Sequence, residues 1–157
     1  MMTTSSTARF RVAVNAVIER DGLYLLARRR DIGWWHLVGG ALEYDETIQQ
    51  GLLREVREEI GASLDILRLV GVYAKPQKRE VVLTFLCNLP ADTTEPKTTE
   101  ETAEIGWFAT DHLPQPFLPK HRERLLDAAE DRCGAMVKAQ TTSTAEDQGM
   151  SGESQVT

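Results

Sequence analysis

The stretch that decides the fold runs from Gly39 to Ala62 and reads "GGALEYDETIQQGLLREVREEIGA". In its second half apolar residues recur every four positions, and this spacing predicts an amphipathic helix with one buried stripe. The stripe consists of Ile48, Leu52, Val56 and Ile60. The same stretch contains six acidic and two basic side chains, so the predicted helix combines an apolar face with a concentration of negative charge.

Three of the acidic residues, Glu55, Glu58 and Glu59, share one face of this helix, because positions i, i+3 and i+4 are neighbours on a helix surface. We expect their carboxylates to converge, and like charges at this spacing destabilise a helix unless something compensates them. A divalent cation with oxygen ligands would do so. Mg²⁺ or Mn²⁺ suits carboxylates better than Zn²⁺, since His36 is the only histidine nearby. The alternative is a solvated acidic face paired with the neighbouring arginines.

The glycines and charged residues of this stretch follow a fixed spacing. From Gly40 onward the pattern is G-x5-E-x7-R-E-V-x-E-E-x-G-A. It resembles the Nudix box, and every glycine and charged position of that box is present. Three departures are visible: Val38 stands where proline is common, Asp45 where glycine often precedes the glutamate, and Ala62 where a larger aliphatic residue usually closes the box. None removes a metal ligand, although Asp45 affects the tight turn before the helix.

Two further segments are similar to Nudix domains. "WHLVGG", residues 35–40, resembles the approach to the box, and "WFATDHLP", residues 107–114, resembles the strand that follows it. The resemblance covers roughly residues 9–130. It implies the α/β fold class, as a Nudix α/β/α sandwich with a mixed β-sheet and the catalytic helix in the strand-loop-helix of the box.

The other segments fit a mixed sheet flanked by helices. Alternating and β-branched patterns predict strands at 9–19, 23–29, 64–74, 80–89 and 104–109. Asp21-Gly22 predicts a hairpin turn between the first two. Residues 118–133 predict a second helix with Leu125, Leu126 and Ala129 on its buried side.

The length of 157 residues fits one domain. We predict a flexible N terminus at residues 1–8 and a single Nudix domain at residues 9–133. Residues 134–157 are rich in Thr, Ser, Gln and Gly and poor in large apolar residues, which predicts a disordered C-terminal tail.

Composition and charge restrict the function classes. Hydrophobic content is 41%, and no apolar run approaches the roughly 18 residues of a membrane span, so we expect no membrane insertion. The first ten residues lack the apolar segment of a secretory signal, which predicts a cytoplasmic protein. A net charge of −6 argues against general nucleic-acid binding, but a phosphate substrate can bind through a cation.

The Nudix resemblance implies hydrolysis of a diphosphate linkage by attack of a metal-activated water on phosphorus. Arg54 would hold the orientation of a box glutamate, and Glu46 would bind the metal through water or brace the loop. The implied metal ligands are Glu55, Glu58, Glu59 and the carbonyl of Gly39.

A general base must lie within hydrogen-bond reach of the attacking water. In the family this base is a box glutamate or a glutamate on a later loop, and "TTEETAEIGWF" supplies such a loop. Glu101 and Glu104 are equally good candidates, and Glu58 is a third. For the loop residues the alternative is an exposed acidic surface.

Substrate contacts are predicted from basic and aromatic residues. Arg28, Arg29 and Arg30, at the end of the second strand, are candidates to bind phosphate, with a solvated basic strand end as the alternative. Trp35 is a candidate to stack on a base, with packing in the core as the alternative. Lys75, Lys78 and Arg79 flank Pro76 in a loop between two strands, where family members contact the distal group of the substrate.

We therefore predict a Mg²⁺-dependent Nudix pyrophosphohydrolase, with Mn²⁺ able to substitute, that acts on a small nucleotide. The substrate would be a nucleotide sugar or ADP-ribose type compound, or a nucleoside triphosphate. Two alternatives stay open: a catalytically silent Nudix-like nucleotide-binding sensor, and an RNA 5′-end pyrophosphohydrolase. The intact set of box glutamates argues against the sensor, and the acidic balance argues against the RNA enzyme. The resemblance also leads us to expect a homodimer.

Overall fold

A mixed β-sheet of eight strands forms the centre of the domain in the computed structural model, which describes residues 7–130 and 133–141. The strands are β1 (Arg11–Arg20), β2 (Leu23–Arg29), β3 (Trp35–His36), β4 (Val38–Ala41), β5 (Asp65–Lys75), β6 (Glu80–Asn88), β7 (Thr102–Phe108) and β8 (Met136–Ala139). One path through the sheet runs β3-β2-β1-β6-β5-β8, while β4 pairs with β1 and β7 pairs with β2. The five strands predicted from the sequence are present, and the three short ones, β3, β4 and β8, are additional.

The predicted hairpin joins β1 and β2 through Asp21 and Gly22, whose φ angles are 53° and 78°. Positive φ at both positions matches the turn to the twist of the strands, and Asp-Gly tolerates it well. β1 then pairs in parallel with β6, from Arg11 opposite Glu80 to Ile18 opposite Cys87. β6 pairs antiparallel with β5, so the sheet is mixed as predicted.

The box helix α1 spans Ile48–Ile60. Thr47 caps its start: the Thr47 hydroxyl accepts a hydrogen bond from the Gln50 N–H, and the Gln50 side chain accepts one from the Thr47 N–H. Such a capping box satisfies backbone donors that a helix start leaves unpaired. Gly61 ends the helix in a left-handed conformation with φ of 65°.

The two helices cover opposite faces of the sheet. Alternate residues of β1 point to different cores: Ala16 and Ile18 pack with α1, whereas Val17 packs with the second helix, α2 (Pro119–Ala129). Leu52, Val56 and Ile60 are fully buried, which confirms the apolar stripe of α1. The fold is therefore the predicted α/β arrangement of a mixed sheet with a helix on each side.

The buried side of α2 differs in part from the prediction. Leu125 is buried, Leu126 is half-buried and Ala129 is exposed. Ala128 is the other buried apolar residue of α2, and the remaining buried positions carry polar side chains, among them Arg124, which is 1% exposed, and Asp127, which is 5% exposed. An apolar pattern could not identify this face, because α2 packs through hydrogen bonds and ion pairs as well as through aliphatic contacts.

The C-terminal segment also differs from the expectation of a disordered tail after residue 133. Met136–Ala139 forms β8, which pairs in parallel with β5 between Gly71 and Ala74. The Gln140 N–H extends this pairing by a hydrogen bond to the Ala74 carbonyl at 2.9 Å. A four-residue strand is too short for a periodic signal, and its partner lies far away in the sequence. The rest of the predicted tail, 142–157, and most of the predicted flexible N terminus, 1–6, lie outside the described residues.

In the part of the chain that the structure describes, neither helix has the length and hydropathy of a membrane span.

Candidate active site

A cavity of about 730 Å³ lies where α1, β4 and the start of β7 meet. Two carboxylates of α1, Glu55 and Glu59, reach it together with Gly39 and Gly40 of β4. Its remaining lining includes Arg11, Asn15, Arg29, Arg30, Asp31, His36, Glu43, Lys75, Glu80, Glu100, Glu101, His121 and Arg124. The cavity therefore holds charged groups of both signs, with the carboxylates of the box among them.

Gly39 and Gly40 let the box approach its neighbours closely. Gly39 has φ of 150°, and a Cβ there would lie 2.0 Å from the Val14 carbonyl oxygen. A Cβ on Gly40 would lie 2.6 Å from the Glu55 carboxyl group. Because Gly40 has no side chain, the Glu55 carboxylate can lie directly against the backbone of β4.

Glu59 is the most buried acidic residue of the box, with a side chain that is 8% exposed. Its carboxylate accepts a hydrogen bond from the Gly39 N–H at 3.2 Å, and His36 Nε2 lies 4.0 Å away. Burial raises the pKa of Glu59 well above its ordinary value, and the charges of Glu55 and Glu101 raise it further. Burial likewise raises the pKa of Glu55, although Arg54 opposes this effect.

Glu58 does not lie with the other two glutamates, so the prediction that all three carboxylates converge is wrong for this structure. Its side chain is 49% exposed and does not line the cavity. At 3.6 residues per turn, Glu59 is rotated about 40° from Glu55 around the helix axis, and Glu58 about 60° in the opposite direction. Glu55 and Glu59 therefore face the cavity, and Glu58 does not.

Arg54 connects the acidic residues of the box. Its guanidinium donates to both carboxylate oxygens of Glu46, at 2.6 and 3.0 Å, and to Glu55 at 3.0 Å and Glu58 at 3.3 Å. It also donates to the Ala41 carbonyl at 3.0 Å. The predicted pairing of Arg54 with a box glutamate is present, and a planar guanidinium bonded at this many points fixes the orientation of the carboxylates around it.

Glu46 occupies a bracing position. Besides pairing with Arg54, it accepts a hydrogen bond from the Glu43 N–H at 2.8 Å, which closes the loop before α1. The Arg54 hydrogen bond lowers the pKa of Glu46, so its carboxylate stays ionised. In the same loop Asp45 has φ of 67°, so the box turn keeps a conformation that favours glycine despite the departure from the usual residue. Of the two roles predicted for Glu46, these contacts match the brace.

The donors at the cavity suit a hard divalent cation. Glu55 and Glu59 offer carboxylate oxygens, and a cation between them would offset the repulsion and burial that raise both pKa values. Among residues 7–130 and 133–141, no three His, Cys, Asp or Glu side chains lie close enough together to hold a metal ion. Glu55 and Glu59 are therefore the two carboxylates already placed to bind a cation, whereas the Glu58 side chain is turned toward Arg54.

The two predicted loop bases are placed differently. Glu101 lines the cavity, and its charge acts on both Glu55 and Glu59. Glu104 pairs with Arg28 at 2.9 Å and does not line the cavity. Both side chains are exposed, and the two residues are three positions apart in the sequence. Of the two, only Glu101, which directly precedes β7, turns toward the box.

The structure corrects most of the predicted substrate contacts. Arg28 is bonded to Glu104 outside the cavity, and Lys78 and Arg79 are exposed and also outside it. Trp35 is 6% exposed and packs edge to face on Phe108, so it is a core residue and not a stacking surface. Arg30 does line the cavity, but its guanidinium donates to the backbone carbonyls of residues 99, 100 and 102. It thereby holds the segment that carries Glu101.

Two of the predicted candidates, Arg29 and Lys75, do line the cavity, whereas Asn15 and Arg124 line it without having been predicted. Arg29 lines the cavity instead of Arg28, because neighbouring strand residues point in opposite directions. Lys75, at the end of β5, is 3% exposed and pairs with Glu80 at 3.2 Å. Asn15 could have been noticed as an amide inside the apolar run "RVAVNAVIE". Arg124 offered no local signal, because its partner Asn15 is 109 residues away.

Comparison with known proteins identifies the family. Residues 9–128 match the family described as NUDIX domain, which is more than half of the chain. The chain belongs to this family.

Its relatives include a MutT-like protein and a pyrophosphatase. It is 39% identical over 114 residues to a MutT-like protein of Streptomyces ambofaciens, covering 73% of each chain. It is 32% identical over 109 residues to an ADP-ribose pyrophosphatase of Methanocaldococcus jannaschii, covering 66% of this chain and 64% of that protein. The chain therefore spans less than two thirds of the archaeal relative's length.

Solved structures agree on the fold. A NUDIX hydrolase from Nitrosomonas europaea superposes with a TM-score of 0.75 at 25% identity, covering 85% of this chain and 80% of that one. An ADP-ribose pyrophosphatase from Streptococcus suis gives a TM-score of 0.68 at 25% identity, with 83% and 98% covered.

Proposed function

We propose that this protein is a Mg²⁺-dependent pyrophosphohydrolase, with Mn²⁺ able to substitute, that cleaves the diphosphate linkage of a small nucleotide. The observation that carries the proposal is the meeting of two box carboxylates, Glu55 and Glu59, at one cavity against the glycine backbone of β4. Both pKa values are raised by burial, and a cation would offset that cost.

The relatives support this reaction class and leave two substrate types. An ADP-ribose pyrophosphatase is 32% identical, and a nucleoside triphosphatase of Escherichia coli is 31% identical over 121 residues. We therefore propose a nucleoside diphosphate derivative of the ADP-ribose or nucleotide-sugar type, or a nucleoside triphosphate, as substrate. A cytoplasmic location and a homodimer stay predictions from the sequence.

We assign the metal-binding role first to Glu55 and Glu59, with the Gly39 carbonyl as a main-chain ligand. Glu58 would join them by turning from Arg54 toward the cavity, since its half-exposed side chain has room to rotate. Arg54 and Glu46 position the set, because the Arg54 guanidinium ties Glu55 and Glu58 to the loop before α1. A bound divalent cation would neutralise phosphate oxygens and acidify the attacking water.

Glu101 is our choice for the general base. It reaches the same cavity as the two box carboxylates, from a segment that Arg30 fixes through three backbone carbonyls. A base must be held within hydrogen-bond reach of the attacking water, and a fixed segment provides that. Glu104 is our matched control, because it lies on the same segment but pairs with Arg28 outside the cavity.

The two alternatives predict different behaviour. A nucleotide-binding sensor would bind nucleotides without cleaving them, although the intact box carboxylates and their Arg54 brace favour an enzyme. An RNA 5′-end pyrophosphohydrolase would cleave 5′-triphosphate RNA, although a net charge of −6 offers little attraction for a long polyanion.

The test is a substrate panel with matched variants. Purified protein with Mg²⁺ would be incubated with ADP-ribose, nucleotide sugars, nucleoside triphosphates and 5′-triphosphate RNA, and the products would be resolved by chromatography. We expect Mg²⁺-dependent cleavage of one small-nucleotide class. Loss of that cleavage on adding EDTA, and its recovery with Mn²⁺, would support the metal assignment.

Two variant pairs test the residue roles. Glu59→Gln should lower turnover by several orders of magnitude, as should Glu58→Gln if Glu58 becomes a ligand. Glu101→Gln should lower kcat by about 10²- to 10⁴-fold, while Glu104→Gln should keep it. If the protein bound nucleotides but cleaved none of the compounds, the nucleotide-binding sensor would replace the hydrolase as the proposed function. Equal activity of Glu101→Gln and wild type would refute the assigned base.

A further inference from the structure

Arg124 stands out among the cavity residues because it is a fully buried cation on α2, with 1% of its surface exposed. Its Nη1 donates to the Asn15 side-chain oxygen at 2.9 Å, and its guanidinium carbon lies 5.6 Å from the centre of the Tyr73 ring. Asn15 is opposite Gly39 in the β1–β4 pairing. Arg124 is therefore connected through Asn15 to Gly39, the glycine whose N–H donates to Glu59.

A second amide, from Gln140, holds the same guanidinium. The Gln140 side-chain oxygen accepts from Arg124 Nε at 3.2 Å and from Nη2 at 2.8 Å. The Gln140 side-chain nitrogen donates in turn to the Lys120 carbonyl at 3.1 Å and to Glu123 Oε1 at 2.8 Å. Each polar atom of this buried amide is thus bonded to α2, which leaves the amide one orientation.

The backbone of Gln140 is anchored as firmly as its side chain. Its N–H donates to the Ala74 carbonyl of β5, and its carbonyl accepts from the Gln77 side chain, both at 2.9 Å. The match to the NUDIX family ends at residue 128, so β8 and Gln140 lie beyond it. The residue that follows β8 therefore contacts a cavity residue, Arg124, from outside the matched part of the chain.

We propose that Arg124 binds a phosphate oxygen of the substrate and that Gln140, which directly follows β8, is the positioning residue that orients it. Asn15 and Gln140 accept from three N–H groups of the guanidinium, and these hydrogen bonds fix its plane. A guanidinium whose orientation is fixed in advance loses little entropy on binding a phosphate group. The cavity then pairs the acidic box with one oriented cation at the same diphosphate.

This inference deepens the proposed function, because it assigns a group that holds the substrate of that site. Its test therefore uses binding without turnover. Pyrophosphate is the probe, titrated calorimetrically into the full chain in EDTA, so that neither a metal ion nor cleavage contributes. We expect Arg124→Met to weaken pyrophosphate binding by about 10- to 100-fold, the loss typical of one charge-assisted contact.

Companion variants separate positioning from general stability. Gln140→Met should weaken pyrophosphate binding by about 3- to 10-fold, and adding it to Arg124→Met should cause no further loss. Lys138→Met removes another contact between β8 and α2, the 2.9 Å pair with Asp127, and should bind pyrophosphate like wild type. If Gln140→Met does not fold, Gln140→Glu keeps the acceptor but cancels the charge of Arg124, so it should also weaken binding.

Several results would overturn the proposal. These are a wild type that does not bind pyrophosphate, an Arg124→Met variant that binds it equally well, and a Lys138→Met variant that loses as much affinity as Gln140→Met. A folded Gln140→Glu variant with wild-type affinity would likewise reduce Gln140 to a structural residue. A wild type that binds pyrophosphate through Arg124 but cleaves nothing in the substrate panel would refute the hydrolase and leave this assignment standing.

Discussion

Gly39→Ala should be among the most damaging small substitutions in this protein. Gly39 has a φ of 150°, which residues other than glycine rarely adopt, and its surroundings leave no space for a Cβ. The added methyl would lie 2.0 Å from the Val14 carbonyl oxygen and 2.8 Å from Asn15 Cα. Both atoms belong to the backbone of β1, so they cannot rotate away as the end of a side chain could.

The cost has two parts. Strain at an unfavourable φ is worth about 1–3 kcal/mol, and overpacking against a fixed neighbour about 1–3 kcal/mol more. We therefore expect Gly39→Ala to lower the free energy of unfolding by about 2–6 kcal/mol, a large fraction of the stability of a domain of this size. β4 would shift away from β1, and the Gly39 hydrogen bond to Glu59 would be lost with it.

Urea unfolding at 25 °C, followed by tryptophan fluorescence, measures this loss, and two matched glycines separate its parts. Gly22→Ala carries a positive φ of 78° with no atom within 4 Å of the new Cβ, so it should cost only the strain, about 1–2 kcal/mol. Gly40→Ala meets the movable Glu55 carboxylate, so it should lower turnover more than stability. If the free energy of unfolding of Gly39→Ala were no lower than that of Gly22→Ala, the predicted steric clash at Gly39 would be refuted.

Three further outcomes concern electrostatics. Arg54→Met should unfold at a lower urea concentration than wild type, because it leaves the box carboxylates without their shared partner. Arg57→Met, at an exposed position of the same helix, should change the free energy of unfolding by about 0.5 kcal/mol or less. Equal urea midpoints for the two variants would contradict the bracing role of Arg54. Burial raises the pKa of Glu59, so the Glu59 carboxyl group holds its proton more tightly in the folded protein than in the unfolded chain. The free energy of unfolding therefore falls as the pH rises from the ordinary pKa of 4.5 through the raised pKa of the folded protein. Glu59→Gln should therefore be more stable than wild type in EDTA at pH 8, and a lower midpoint would contradict this. Burial raises the pKa of the Cys87 thiol to about 12, so a thiol reagent at pH 8 should modify exposed Cys133 quickly and Cys87 only after unfolding; fast reaction of both in the folded protein would be the contrary result.

Local sequence patterns predicted α1 and the β1–β2 hairpin well, because each pattern reports interactions between residues a few positions apart. The four-residue apolar repeat placed Leu52, Val56 and Ile60 in the core, and Asp21-Gly22 marked the turn. Local patterns failed for β8, which is held by a distant strand, and for Ala129, where polar contacts determine the buried face of α2.

The sequence by itself determined the family, the mixed α/β fold and the acidic box around Arg54, since these depend on spacing along the chain. Only the tertiary structure decided which residues share the cavity: Glu101 without Glu104, Arg29 without Arg28, and Glu55 and Glu59 without Glu58. It also placed Trp35 in the core and joined Arg124 to Gln140. The physical reason is that spacing fixes the direction of a side chain within its own element, whereas a cavity is formed by elements whose relative positions depend on the packing of the whole chain.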